Sequence, residues 1–118
     1  MGRSFHRTVQ ADQLVDGTLM PVTVNGWPVL LAMSEGSLYA TIDRCTHAAS
    51  ELSTGRVRRG AVMCPLHGAR FELATGRCIG GPYDPLMTFE TRREGDWIAV
   101  AVPDAQPGFE HLPIRARD

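Results

Sequence analysis

Residues 45–67 read CTHAASELSTGRVRRGAVMCPLH and hold two Cys/His pairs: Cys45 with His47 and, sixteen residues further on, Cys64 with His67. Thiolate and imidazole suit zinc and iron-sulfur clusters, whereas magnesium and calcium require carboxylate and carbonyl oxygens, so the hard cations are excluded. Two binders of a four-ligand set remain: a tetrahedral Cys2His2 zinc ion, and a 2Fe-2S cluster in which two histidines replace two cysteines on one iron. A zinc finger usually takes both cysteines from one turn and both histidines from a helix. Here each loop brings one Cys and one His. That interleaving suits a binuclear cluster, with each Cys on an inner iron and each His reaching past it to an outer one. The two irons then differ in charge, the added electron is expected on the histidine-ligated iron, and it enters and leaves through the His47/His67 end.

Outward from this stretch, two-residue alternation dominates and long helical stripes are missing, which predicts a mostly β fold. Residues 20–24 and 29–33 flank Asn25-Gly26, a strong two-residue hairpin signal, although Trp27-Pro28 suggests an edge strand or a slightly longer turn. A second hairpin turns at Glu35-Gly36, and residues 37–42 run into Cys45. Val62 and Met63 lead into Cys64 after a turn region over residues 55–60, and residues 70–73 leave towards Ala74-Thr75-Gly76. Both ligand loops are therefore expected as hairpin-like tips on strands, rigidly framed and open to partners. Pro65 fixes φ and lacks an N-H, while Gly68 and Gly81 are expected to bring backbone close to the site and point amides at sulfur. Residues 86–91 and 97–102 form a last hairpin about Glu94-Gly95-Asp96, with Ile98, Val100 and Val102 on one face of a strand buried in a sandwich.

C-x-H, sixteen residues, then C-x-x-H is the signature of Rieske 2Fe-2S proteins, which this sequence resembles. The likeness extends through Cys64-Pro65-Leu66-His67-Gly68, Arg70-Phe71-Glu72, Thr75-Gly76 and Gly81-Pro82 with Pro85-Leu86, covers about residues 5–102, and is greatest to the ferredoxins serving multicomponent bacterial oxygenases. The resemblance implies an all-β, antiparallel β-sandwich with a small cluster-binding subdomain made of two hairpin loops. Its parts are a Rieske domain over residues 1–102, cluster-binding loops at about 43–51 and 62–70, and a lid loop at about 80–85. It also implies one 2Fe-2S cluster on Cys45, His47, Cys64 and His67 and no catalytic residue. The chain would carry single electrons from an NAD(P)H-dependent flavin reductase to a terminal oxygenase, docking transiently with both at the His47/His67 end.

The chain's 118 residues allow one domain and a modest core. A Rieske oxygenase catalytic subunit needs a second domain with a mononuclear iron held by two histidines and a carboxylate, and no such set follows Val102. Past Pro103 the composition turns to Pro, Gly and charge, so residues 103–118 are expected as a tail that crosses the domain surface or is partly disordered. No stretch of about 18 apolar residues occurs, and the start has no apolar run behind its charges, so a cytoplasmic monomer without membrane association is expected. Three cysteines, two of them committed, fit a reducing compartment and leave Cys78 as a structural thiol. His6 and His111 are read as satisfied surface imidazoles.

Thirteen acidic against twelve basic residues give no field that points to nucleic acid. Arg44, Arg56, Arg58, Arg59 and Arg70 lie in or between the cluster segments, either as a solvated face or as a docking rim for an acidic partner. Competing readings are a Rieske-type small subunit of an assimilatory nitrite reductase, a structural Cys2His2 zinc module for protein binding, and a redox sensor using Cys78.

Rieske potentials span roughly −150 to +300 mV and depend on hydrogen bonds to the sulfurs. Respiratory members carry a disulfide between positions that here are Ser50 and Leu66, and hydroxyl donors at positions that here are Ala69 and Phe71. Loss of donors favours the oxidised cluster, because the reduced form carries one more negative charge. A potential at the low end of the range follows, with reduction independent of pH near neutrality.

Overall fold

In the computed structural model, which describes residues 2–46, 49–66 and 68–113, the chain forms three antiparallel sheets and no α-helix among those residues. The first sheet has the order β1-β11-β10, from β1 (Arg3–Gln10), β10 (Thr91–Glu94) and β11 (Trp97–Pro103). The second runs β2-β3-β4-β9, from β2 (Leu19–Val24), β3 (Trp27–Ser34), β4 (Ser37–Ile42) and β9 (Thr88–Phe89). A third, smaller sheet runs β5-β6-β7-β8, from β5 (Arg56–Arg58), β6 (Ala61–Met63), β7 (Arg70–Glu72) and β8 (Cys78–Ile79). This is the expected all-β sandwich with its subdomain. No helix is long and apolar enough to cross a membrane among the described residues.

β3 organises the molecule. Its run Trp-Pro-Val-Leu-Leu-Ala-Met is almost continuously apolar, the pattern of a strand covered on both faces. Residues alternate between those faces. On one, Ser34 Oγ accepts a 2.9 Å hydrogen bond from Gly60 N, so Leu30, Ala32 and Ser34 lie under the small sheet. On the other, Trp27 meets Phe89 edge-on at 6.3 Å and Met33 lines a cavity with Ile98, so Val29 and Leu31 face the first sheet. Leu30, Leu31 and Val29 are fully buried, each stabilising by about 2 kcal/mol relative to exposure.

Several sequence expectations are corrected. β3 is central, and the Asn25-Gly26 turn has two residues with φ of 48° and 81°, placing Val24 opposite Trp27. Pro28 is tolerated because β3-β4 pairing begins only at Val29-Ile42; its carbonyl still accepts from Asp43 N at 2.9 Å. Residues 55–60 are not one turn. Arg56–Arg58 pairs with Ala61–Met63 around Arg59-Gly60, and the run of arginines hides an alternation in which Val57 alone faces inwards. Residues 86–91 are two strands, since the chain leaves β4 at Phe89 and joins β11 at Thr91, with Glu90 O accepting from Ala101 N across the corner. β1 is too polar to single out by pattern, and its ladder on apolar β11 makes it a strand.

The segment after β11 runs across the second sheet. Asn25 Nδ2 donates to Pro103 O at 3.2 Å, Trp27 Nε1 donates to Ala105 O at 2.9 Å, and Arg44 Nε donates to Leu112 O at 3.2 Å. The His111 ring lies 4.9 Å from that of Trp27, so it packs on an indole and does not stand free at the surface.

Candidate metal centre

Both cysteine loops close by one hydrogen-bond pattern. In the first, Cys45 N donates to Ser50 O at 2.9 Å and Ala49 N donates back to Cys45 O at 2.7 Å. In the second, Cys64 N donates to Ala69 O at 2.7 Å and Gly68 N to Cys64 O at 3.1 Å. The fifth residue of each closure has positive φ, 56° at Ala49 and 73° at Gly68. Gly suits that conformation; Ala pays a steric cost there. The second loop is the tip of the β6-β7 hairpin, whereas the first carries the chain from β4 to a short 3-10 turn, Leu52–Thr54, ahead of β5.

Ser50 joins the two loops. Its carbonyl closes the first, and its Oγ lies 3.5 Å from Cys64 Sγ on the second. Cys45 and Cys64 are 0% and 1% exposed. Thr46 Oγ1 donates to Asp84 O at 2.6 Å, tying the first loop to residues 80–85. Below it, Asp43 is buried and accepts from Ser53 N at 2.7 Å and Ser53 Oγ at 2.8 Å. Burial pushes the Asp43 carboxyl above its ordinary range, with the Ser53 hydrogen bonds pulling the other way. Asp43 and Ser53 were not legible as partners, because nothing in the sequence links residues ten apart across an irregular loop.

His47 and His67 lie outside the described residues. Among the described residues, no group of three or more His, Cys, Asp or Glu converges on a metal position. A Cβ at Gly81 would lie 3.2 Å from Cys78 Sγ, so the smallness of this residue makes room for Cys78. Cys78 is buried on the inner row of the small sheet, opposite Phe71. His6 Nε2 is buried without a hydrogen-bond partner among the described residues, which corrects its reading as a satisfied surface imidazole.

The outer face of the same sheet carries the arginines. Strand register puts Arg56, Met63, Arg70 and Ile79 in one row. Together with Arg58 and Arg59 they line a groove of about 520 Å³. None of these four arginines forms an ion pair among the described residues. Arg44 is held apart by Leu112.

Two dry thiols on paired loops are the chemistry a thiolate-bound metal or cluster needs, since a sulfur ligand is held best in a rigid, desolvated frame. The described residues therefore fit a cluster bound at this end of the molecule. Similarity to known proteins bears on which one. The naphthalene 1,2-dioxygenase system ferredoxin component of Pseudomonas aeruginosa is 34% identical over 89 residues, covering 75% of this chain and 86% of that protein. A solved complex of reduced oxygenase and oxidized ferredoxin in carbazole 1,9a-dioxygenase matches with TM-score 0.77 and 30% identity, over 82% of this chain and 92% of that one. A putative NADH-dependent nitrite reductase small subunit from Mycobacterium tuberculosis matches with TM-score 0.77 over 87% of this chain and 98% of that one, but at 22% identity it speaks for the fold alone. The family model of the Rieske [2Fe-2S] domain matches residues 4–90, and the chain belongs to that family.

Proposed function

We propose that this chain is a low-potential Rieske ferredoxin carrying single electrons from an NAD(P)H-dependent flavin reductase to a terminal oxygenase, without catalysis of its own. Cys45 and Cys64 hold the inner iron of one 2Fe-2S cluster, and His47 and His67 hold the outer iron. When bound, the cluster supplies a one-electron store. The chain keeps both thiolates dry, fixes the loops through Ser50 and Asp43, and leaves Leu66, 59% exposed, at the tip of the second loop. The observation that carries the reading is the pair of buried cysteines on two identically closed loops. The ferredoxin component among the relatives and the oxygenase-ferredoxin complex among the structures support the partner class.

The cluster domain is taken as residues 1–102, with residues 103–118 as a C-terminal tail. Docking is expected at the His47/His67 end, and the groove around Met63, whose arginines form no ion pair among the described residues, supports an acidic surface on a partner. The protein is read as a cytoplasmic monomer.

The test is EPR of the dithionite-reduced protein, with iron and acid-labile sulfide measured on the same sample. A rhombic spectrum with a mean g-value below that of all-cysteine clusters, and about two irons and two sulfides per chain, is the expected result. A colourless, EPR-silent, zinc-loaded protein would overturn it. Reduction by a flavin reductase and reoxidation by an oxygenase then separate the carrier from a nitrite reductase subunit, which would be recovered in a tight complex with its large subunit.

A further inference from the structure

We infer that the Ser50 hydroxyl is a hydrogen-bond donor to the Cys64 sulfur and raises the reduction potential of the cluster. The inference rests on the ligand assignment proposed above. Its basis is the symmetry of the two loops. Ser50 and Ala69 occupy equivalent places, each giving the carbonyl that closes its loop on a cysteine N-H. The second loop has a methyl there. The first has a hydroxyl, and its Oγ stands 3.5 Å from Cys64 Sγ, within range of a hydrogen bond to sulfur. In a thiol either atom is able to donate. A ligating Cys64 is a thiolate without a proton, so the hydroxyl is then the donor and the sulfur the acceptor.

The position of the donor makes it effective. Ser50 is held at its carbonyl by Cys45 N, so the hydroxyl starts from a fixed backbone. Cys64 is 1% exposed, and in that dry setting a hydrogen bond to charged sulfur is stronger than in water. The reduced cluster carries one more negative charge and gains more from the bond than the oxidised one. The first loop thus supplies a hydroxyl donor to a sulfur of the second loop, where Ala69 at the equivalent position carries only a methyl. Electron transfer leaves the serine unchanged; it is a positioning and tuning residue.

The experiment compares wild type, Ser50→Ala and Ser50→Thr by spectroelectrochemistry, after far-UV circular dichroism and iron and sulfide analysis have matched the folds and cluster contents. Ser50→Ala is expected to lower the reduction equilibrium constant by up to about tenfold, 59 mV for a one-electron couple, and Ser50→Thr to restore it. An unchanged or raised midpoint in fully loaded Ser50→Ala overturns the inference while leaving the cluster assignment standing. Should Ser50→Ala fail to load, a crystal structure of the cluster-bound wild type decides: Oγ within hydrogen-bond range of Cys64 Sγ supports the inference, and Oγ turned away overturns it. A wild type without the rhombic EPR signal removes the cluster assignment itself, and this inference with it.

Discussion

At the scale of single residues, the site combines what side-chain chemistry announces with what it conceals. Cys45, His47, Cys64 and His67 stand out because thiols and imidazoles at short spacing have few other uses. Ser50 does not stand out, because its value depends on which sulfur its hydroxyl faces, and Cys64 is fourteen residues away. Ala49 is similarly silent, since Ala is not a turn residue and its φ of 56° is imposed by the closure around it. The loop symmetry makes Ala69 the natural place to add a second donor. Ala69→Ser should raise the midpoint by on the order of 60 mV, a tenfold change for one electron, and adding Phe71→Tyr should raise it further. An unaltered midpoint in the folded, fully loaded double variant would count against hydrogen bonding as the cause of a low potential.

At the scale of elements, the closures and the C-terminal strap hold the site in place. Gly68→Ala should destabilise by about 1 kcal/mol, the cost of putting a Cβ at positive φ, whereas Ala49→Gly should be neutral or stabilising by less than about 1 kcal/mol. Urea titration of the two variants checks the opposite signs, and equal losses would show that the loops are not equivalent. The strap makes a different prediction. Truncation after Asp104 removes the carbonyl of Ala105 and the ring of His111 from Trp27, which is 4% exposed. A loss of about 2 kcal/mol is expected from one hydrogen bond and the uncovered indole surface, with a red-shifted Trp fluorescence; unchanged emission and stability would mean that Trp27 is buried without the strap. The composition announced a tail crossing the surface but hid its partners, because Asn25, Trp27 and Arg44 donate to its backbone carbonyls, which any residue carries.

At the scale of the whole molecule, charge and layering set the behaviour. β1 is tied across the first sheet to β10 by Arg7, which contacts Glu94 at 3.1 Å, and Arg92, on the same strand as Glu94, contacts that carboxylate at 2.7 Å. The Arg92 hydrogen bond, then that of Arg7, hold the Glu94 carboxyl below its ordinary range. A depressed carboxylate contributes stability that is present above its unfolded pKa and lost as pH falls through the folded one. Thermal melts of wild type and Glu94→Gln should therefore differ at neutral pH and converge below about pH 4; a constant gap down to pH 3 would assign the effect to packing. The fold class, the hairpins at Asn25-Gly26 and Glu35-Gly36 and the family were legible in the chain, because alternation, turn residues and ligand spacing are local properties. Sequence alone determined the family and the β architecture. Only the tertiary structure decided that residues 86–91 split between two sheets, that four arginines share one groove, and that a serine hydroxyl reaches a sulfur on the other loop. Those outcomes depend on which distant surfaces meet, and burial and strand pairing across long separations settle that only when the whole chain packs.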